Sequence, residues 1–143
     1  MGRVEFDHWT SQHDREDMEA IIADSVAPVS DAGLVDLVET DHRICDEVSL
    51  VPTLGQTLGH VSVRIASCGE EALITGDFMH HPCQIARPDW SSTADSDPVK
   101  AQQTRERMLT QLSDIPILVV GTHFAGRTAG HVVRHGNAFR LAV

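Results

Sequence analysis

The sequence predicts an α/β fold, a mixed sheet packed by helices, and three observations predict it. Apolar residues recur at helical spacing in two places, within residues 11 to 40 and again after Pro98. Between them, from about residue 42, the apolar period changes to two. After the second helix comes an unbroken apolar run, Ile115-Pro116-Ile117-Leu118-Val119-Val120, a strand of the kind covered on both faces. Helices, strands, a helix and strands again give a sheet packed by helices. The 143 residues make one domain or part of one.

Each element has its own signal. Met18, Ile21, Ile22 and Val26 recur at helical spacing among charged residues, and Pro28 should end or re-aim that helix. A second short helix is expected over Asp31 to Val38, with Leu34, Leu37 and Val38 as its apolar side. Val48, Leu50 and Val51 form a short strand that stops at Pro52. Val61, Val63 and Ile65 alternate with Ser62, Arg64 and Ala66, which marks a half-buried strand. A turn at Cys68-Gly69 joins it to a strand at 72–75, giving a hairpin. Residues 80 to 96 are polar, carry Pro82, Pro88 and Trp90, and read as a long loop, a common place for function. Asp97 caps a helix at about 98–113, Pro98 takes its first position, and Ala101, Met108, Leu109 and Leu112 share one face. Short strands around 132–133 and 139–141 follow, joined by a turn at Gly136-Asn137. The domain organisation is therefore a single partial domain over 1–143, a helical segment at 1–40 and a sheet at 41–143.

Composition removes several classes of function. Eleven basic residues against 21 acidic ones give a formal charge of -10, the wrong sign for a phosphate-backbone binder, so no nucleic acid partner is expected. No apolar run is long enough to span a membrane, and the first residues have no apolar segment of a secretory signal. The three cysteines, Cys45, Cys68 and Cys83, form no Cys-x-x-Cys pair, which fits a reducing cytoplasm. Nine histidines need an explanation, because histidine is the commonest metal ligand.

Three of the polar residues sit at strand ends beside glycine. His60 closes the loop Pro52-Thr53-Leu54-Gly55-Gln56-Thr57-Leu58-Gly59-His60. Asp77 follows a strand in Thr75-Gly76-Asp77, and His123 follows the apolar strand in Gly121-Thr122-His123-Phe124. Strands would hold such side chains rigidly at one rim, and imidazoles with a carboxylate suit zinc and similar ions. Their spacing matches no local motif, so on spacing alone they are three unrelated polar residues at loop edges.

Taken in order, with these strands between them, Pro-Thr-Leu-Gly-Gln-Thr-Leu-Gly-His, Thr-Gly-Asp and Gly-Thr-His-Phe resemble the second half of the metallo-β-lactamase superfamily. The nearest branch in motif is that of the lactonase-like and organophosphate-hydrolase-like enzymes, and the resemblance runs from Glu5-Phe6-Asp7-His8-Trp9 to Phe139-Arg140-Leu141. It implies the C-terminal half of an αββα sandwich. It implies that His60 closes the ligand set of a first metal, that Asp77 bridges two metals and that His123 serves the second. The implied cofactor is a pair of zinc ions, and the implied reaction is attack of an activated water on a small ester, lactone or phosphotriester. At the position of His80, three residues after Asp77, a relative's side chain polarises the substrate. His80 is thus the catalytic candidate, with a solvated loop histidine as the alternative. Trp90 is a candidate wall for substrate, or a loop anchor packed on the core. His8, His13 and His42 read as surface residues.

Two positions depart from the family. Gln56 replaces a histidine that is not a ligand. More seriously, the signature His-x-His-x-Asp-His is absent, since no two histidines lie two apart. The expectation is a C-terminal fragment that binds zinc weakly, partnered by a missing N-terminal half or by its own copy. The competing reading is a non-catalytic half-domain or a metal-binding or interaction module.

Overall fold

A computed structural model describes residues 1–12 and 16–143, so the expectation for His13 lies outside the described residues. The N-terminal part differs from the sequence reading. Helix α1 (Arg3–Thr10) comes first, inside the helical segment expected over 1–40 but ahead of the apolar pattern that begins at Met18. Helix α2 (Glu16–Ile21) runs through a π-helical turn (Ile22–Val26) into α3 (Ala27–Asp31), which carries Pro28 in its first turn. The expected helix over Asp31 to Val38 does not form. A glycine stop explains why: Gly33 takes the left-handed φ of 70°. The Gly33 amide donates to the Ser30 carbonyl and the Leu34 amide to that of Val29, the paired bonds that seal a helix end. The chain then runs out to Val38, which bridges to Gly2. The spacing of Leu34, Leu37 and Val38 imitates a helix, but Leu34 is 77% exposed.

Six strands line up in chain order: β1 (Val48–Pro52), β2 (Val61–Ser67), β3 (Glu70–Ile74), β4 (Ile117–Val120), β5 (Ala129–His135) and β6 (Ala138–Ala142). Neighbours are antiparallel except β3 and β4, which are parallel. Cys68 and Gly69 make the β2–β3 turn with φ of 54° and 82°, the positive values a two-residue hairpin turn requires. The parallel pair needs a long crossover, and residues 75–116 supply it. That stretch holds a short helix, α4 (Cys83–Ala86), inside the expected loop, and the capped helix α5 (Pro98–Leu112).

The register sorts side chains onto two faces. Leu73, Val119 and Val132 point to one face and are buried with Phe78, Met79, Ile85, Met108, Leu109, Leu112 and Phe124. This is the core, and α5 supplies its cover with the face expected from sequence. The opposite face carries Leu50, Val63, Ile65, Ile74, Leu118 and Val120, none of them fully buried. Leu118 is 38% exposed and Ile65 36%. The apolar run at 115–120 was expected to be covered on both sides, and it is covered on one. No described residue before Thr53 is fully buried, so the N-terminal helices add nothing to the core.

An ion pair fastens α5 to the loop before it. Arg105 and Asp95 have side chains with no solvent exposure and meet at 3.2 Å. Arg105 also donates to the Pro88 carbonyl at 2.8 Å, and the Ser92 amide donates to Asp95. Nη2 of Arg105 and Oδ1 of Asp95 have no partner, so the pair is only partly satisfied. Asp95→Asn leaves a buried guanidinium without its counter-charge and is expected to cost about 3–5 kcal/mol in urea unfolding. The double change Asp95→Leu with Arg105→Met should recover most of that loss. A single variant as stable as wild type would show that the pair is dispensable.

Candidate metal centre

Three loops converge at one end of the sheet, and buried hydroxyls hold them together. Thr53, Ser62 and Thr75 are fully buried. The Ser62 hydroxyl donates to the Thr75 carbonyl at 2.8 Å and lies 3.0 Å from the Thr53 hydroxyl. The Thr122 amide donates to the Thr75 hydroxyl at 3.2 Å, which ties in the segment after β4. Thus the loop after β1, the end of β3 and the end of β4 are fixed relative to one another.

His60 is seated by this line. Its Nε2 accepts the backbone N–H of Asp77 at 2.8 Å. The proton therefore sits on Nδ1, which donates to the Thr53 carbonyl at 3.0 Å, with the Thr53 hydroxyl 2.9 Å away. Gly76 makes the approach possible. Its φ is 58°, and a Cβ there would lie 2.8 Å from His60 Nε2. Behind the ring, Glu5 of α1 accepts the Gly59 amide and the Trp9 indole N–H. Burial lowers the affinity of His60 for a proton below its ordinary value. The Thr53 carbonyl and the charges of Asp77 and Glu5 oppose that shift, while His80 reinforces it.

In front of His60, the side chains of Asp77, His80 and His123 meet. His123 Nε2 donates to Asp77 Oδ1 at 2.8 Å. The rings of His80 and His123 stack with centroids 5.1 Å apart and planes 15° apart. One donor atom from each of the three residues falls within 4.8 Å of the others, and among the described residues this is the one such cluster. Nδ1 of His80 is buried and has no hydrogen-bond partner. Two imidazoles and a carboxylate, one with an unspent buried nitrogen, are a donor set that fits a divalent ion such as zinc.

The structure therefore brings together two of the three ligands expected from sequence, Asp77 and His123, and adds His80. It places His60 behind them, on the Asp77 backbone. Trp90 lies on the same crossover and is 49% exposed, with the Arg87 guanidinium 5.1 Å from its ring centroid. Its backbone carbonyl accepts from Gln84, a buried residue that sequence reasoning passed over.

No protein-family model and no curated protein sequence matches the chain. Solved structures do match. AidC, a dizinc quorum-quenching lactonase in complex with a product, superimposes with a TM-score of 0.82 at 18% identity, over 99% of this chain and 53% of that one. AbOPH, a hydrolase in the beta-lactamase superfamily, gives 0.77 at 23% identity, over 87% and 43%. The chain has part of the metallo-β-lactamase fold. A further structure of that fold, an N-acyl homoserine lactone hydrolase with N-hexanoyl-L-homoserine at its catalytic metal center, gives 0.63 at 19% identity, over 87% and 46%. The chain spans about half the length of the solved proteins it matches, and the sheet packed by helices is part of the full metallo-β-lactamase architecture.

The seat of His60 makes stability depend on pH. Its folded form takes up a proton only below the ordinary 6.5, so the unfolded chain binds more protons just under that value. Stability from this group is complete above about 6.5 and is lost as pH falls toward the lower folded value. In chelator-containing buffer, urea unfolding of wild type should weaken over that range, and His60→Gln should lack this part of the slope. Parallel curves for the two proteins would remove His60 as the cause.

Proposed function

We propose that the chain carries part of the metal site of a metal-dependent hydrolase acting on a small ester, lactone or phosphotriester. The observation that supports this best is the meeting of Asp77, His80 and His123 at one sheet end, with a buried imidazole nitrogen left unspent. The names of the similar structures, a dizinc lactonase and a hydrolase, point to the same class. Asp77, His80 and His123 would hold one zinc, whereas His60, which the family resemblance assigns as a further ligand, has both ring nitrogens engaged by the Asp77 amide and the Thr53 carbonyl. A bound divalent ion supplies an activated water and polarises the carbonyl or phosphoryl oxygen. The protein's own contribution is positional. The His60 ring pins the Asp77 backbone, the His80–His123 stack fixes two imidazoles in one plane direction, and Trp90 offers an apolar wall for substrate. Left off the metal, His80 is instead the group in place to hold a proton beside a reacting oxygen. Three free cysteines fit a cytoplasmic setting.

Ligand arithmetic limits what these 143 residues do by themselves. They contain no His-x-His-x-Asp-His, so the ligands that motif brings must come from another segment or another chain. A zinc titration against a chromogenic chelator should show one weakly held ion per chain, with binding lost in Asp77→Asn and His123→Ala. Lactones, β-lactams and phosphotriesters should be hydrolysed no faster than background until a segment bearing the motif is added. Zinc-dependent turnover by the 143 residues alone, lost in His60→Ala, would overturn the partial-site reading.

The uncovered sheet face favours a second reading, a half-domain that works by association. Leu118, Ile65 and their neighbours form an apolar surface that a partner half or a second copy would cover. Isolated chain should bind a hydrophobic dye or sediment as an oligomer, and Leu118→Lys should reduce both. A cooperative, dye-silent monomer at high concentration would remove this reading.

A further inference from the structure

Gln84 sits on the short helix α4 and is 5% exposed. Its Oε1 accepts the His80 amide at 2.7 Å and the His81 amide at 3.3 Å. Its Nε2 donates to the Trp90 carbonyl at 2.9 Å. The opposite amide orientation would aim an NH2 group at two N–H donors, so the network allows one arrangement only. The carboxamide thus joins the backbone of His80 to the backbone of Trp90. Beyond Trp90, the same loop is anchored from below by the Arg105–Asp95 pair and by the Arg105 bond to Pro88.

We propose that Gln84 is a positioning residue that sets His80 against His123 and couples that placement to the Trp90 wall. The proposal rests on the metal-site reading for its effect on affinity, and on geometry alone for its effect on His80. The physical reason is the shortage of other restraints. The ring of His80 touches His123 by stacking, a soft contact, and its Nδ1 makes no hydrogen bond. Core packing of Phe78 and Met79 holds the chain just before His80, and the two amides received by Gln84 fix the backbone from which that ring projects as the chain turns into α4. Partners that orient ligands in this way typically change metal affinity by about 10- to 100-fold when lost.

The test uses the 143-residue chain and Co2+ as probe. Gln84→Met keeps the volume and removes every hydrogen bond, and Gln84→Glu keeps the acceptor for the His80 amide. In metal-free protein, Gln84→Met should move the His80 ring signals in NMR and shift Trp90 emission, read in a Trp9→Phe background. Gln84→Glu should restore the His80 signals. Gln84→Met should weaken Co2+ binding by about ten-fold, and the same change placed on His80→Ala should add little. Unmoved His80 signals overturn the proposal, as does an equal loss of affinity on both backgrounds, which marks general damage. If wild type and Asp77→Asn bind Co2+ alike, the metal-site reading fails, and the metal-free His80 and Trp90 signals still decide the role of Gln84.

Discussion

The candidate centre depends on a line of hydroxyls that water does not reach. Thr53, Ser62 and Thr75 come from three different parts of the chain, and each buried oxygen must find a partner or destabilise the fold. One arrangement satisfies them all. The Ser62 hydroxyl takes the Thr75 carbonyl, Thr53 takes Ser62, and the Thr75 hydroxyl receives the Thr122 amide. That arrangement fixes the ends of β1, β3 and β4 together. His60, Asp77 and His123 follow from it, because each lies within a few residues of one of these hydroxyls or of the amide they receive.

The two sides of the sheet are under different constraints. On the covered side, an apolar core and α5 hold the strands, and the Arg105–Asp95 pair extends that hold to the crossover loop. On the other side, apolar residues meet solvent. The candidate metal centre lies at the sheet end, where rigidity comes from the covered side and hydrogen-bonded loops.

Much of this was legible in the sequence, for physical reasons that can be named. The alternation in Val61 to Ala66 reports a strand with two unlike faces, and Asp97-Pro98 reports a helix start; both are local signals. The meeting of Asp77 and His123 at one rim was legible through ordered motifs beside glycine. What failed was non-local. Asp31 to Val38 has helical spacing, and only the stop at Gly33 excludes a helix. Nothing near Arg105 in the chain shows that it is buried against Asp95. The stack of His80 on His123 was not legible, because the two residues lie far apart in sequence. Gln84 carried no signal, because its acceptors and donors are backbone groups, which every residue shares.

The parallel pairing of β3 with β4 has a consequence for how the protein reaches this state. Glu71 pairs with Ile117, and Asp77 meets His123 at the same separation of 46 residues. The hairpins β1–β2, β2–β3 and β5–β6 can each close early, since their strands are neighbours in sequence. The β3–β4 contact cannot, because closing a loop of that length is entropically slow. The candidate metal centre straddles this late seam. His123 is thus apart from Asp77 and His80 during most of folding, and the candidate donor set is complete only once the two half-sheets have docked. Refolding rate and metal uptake should share their slowest step.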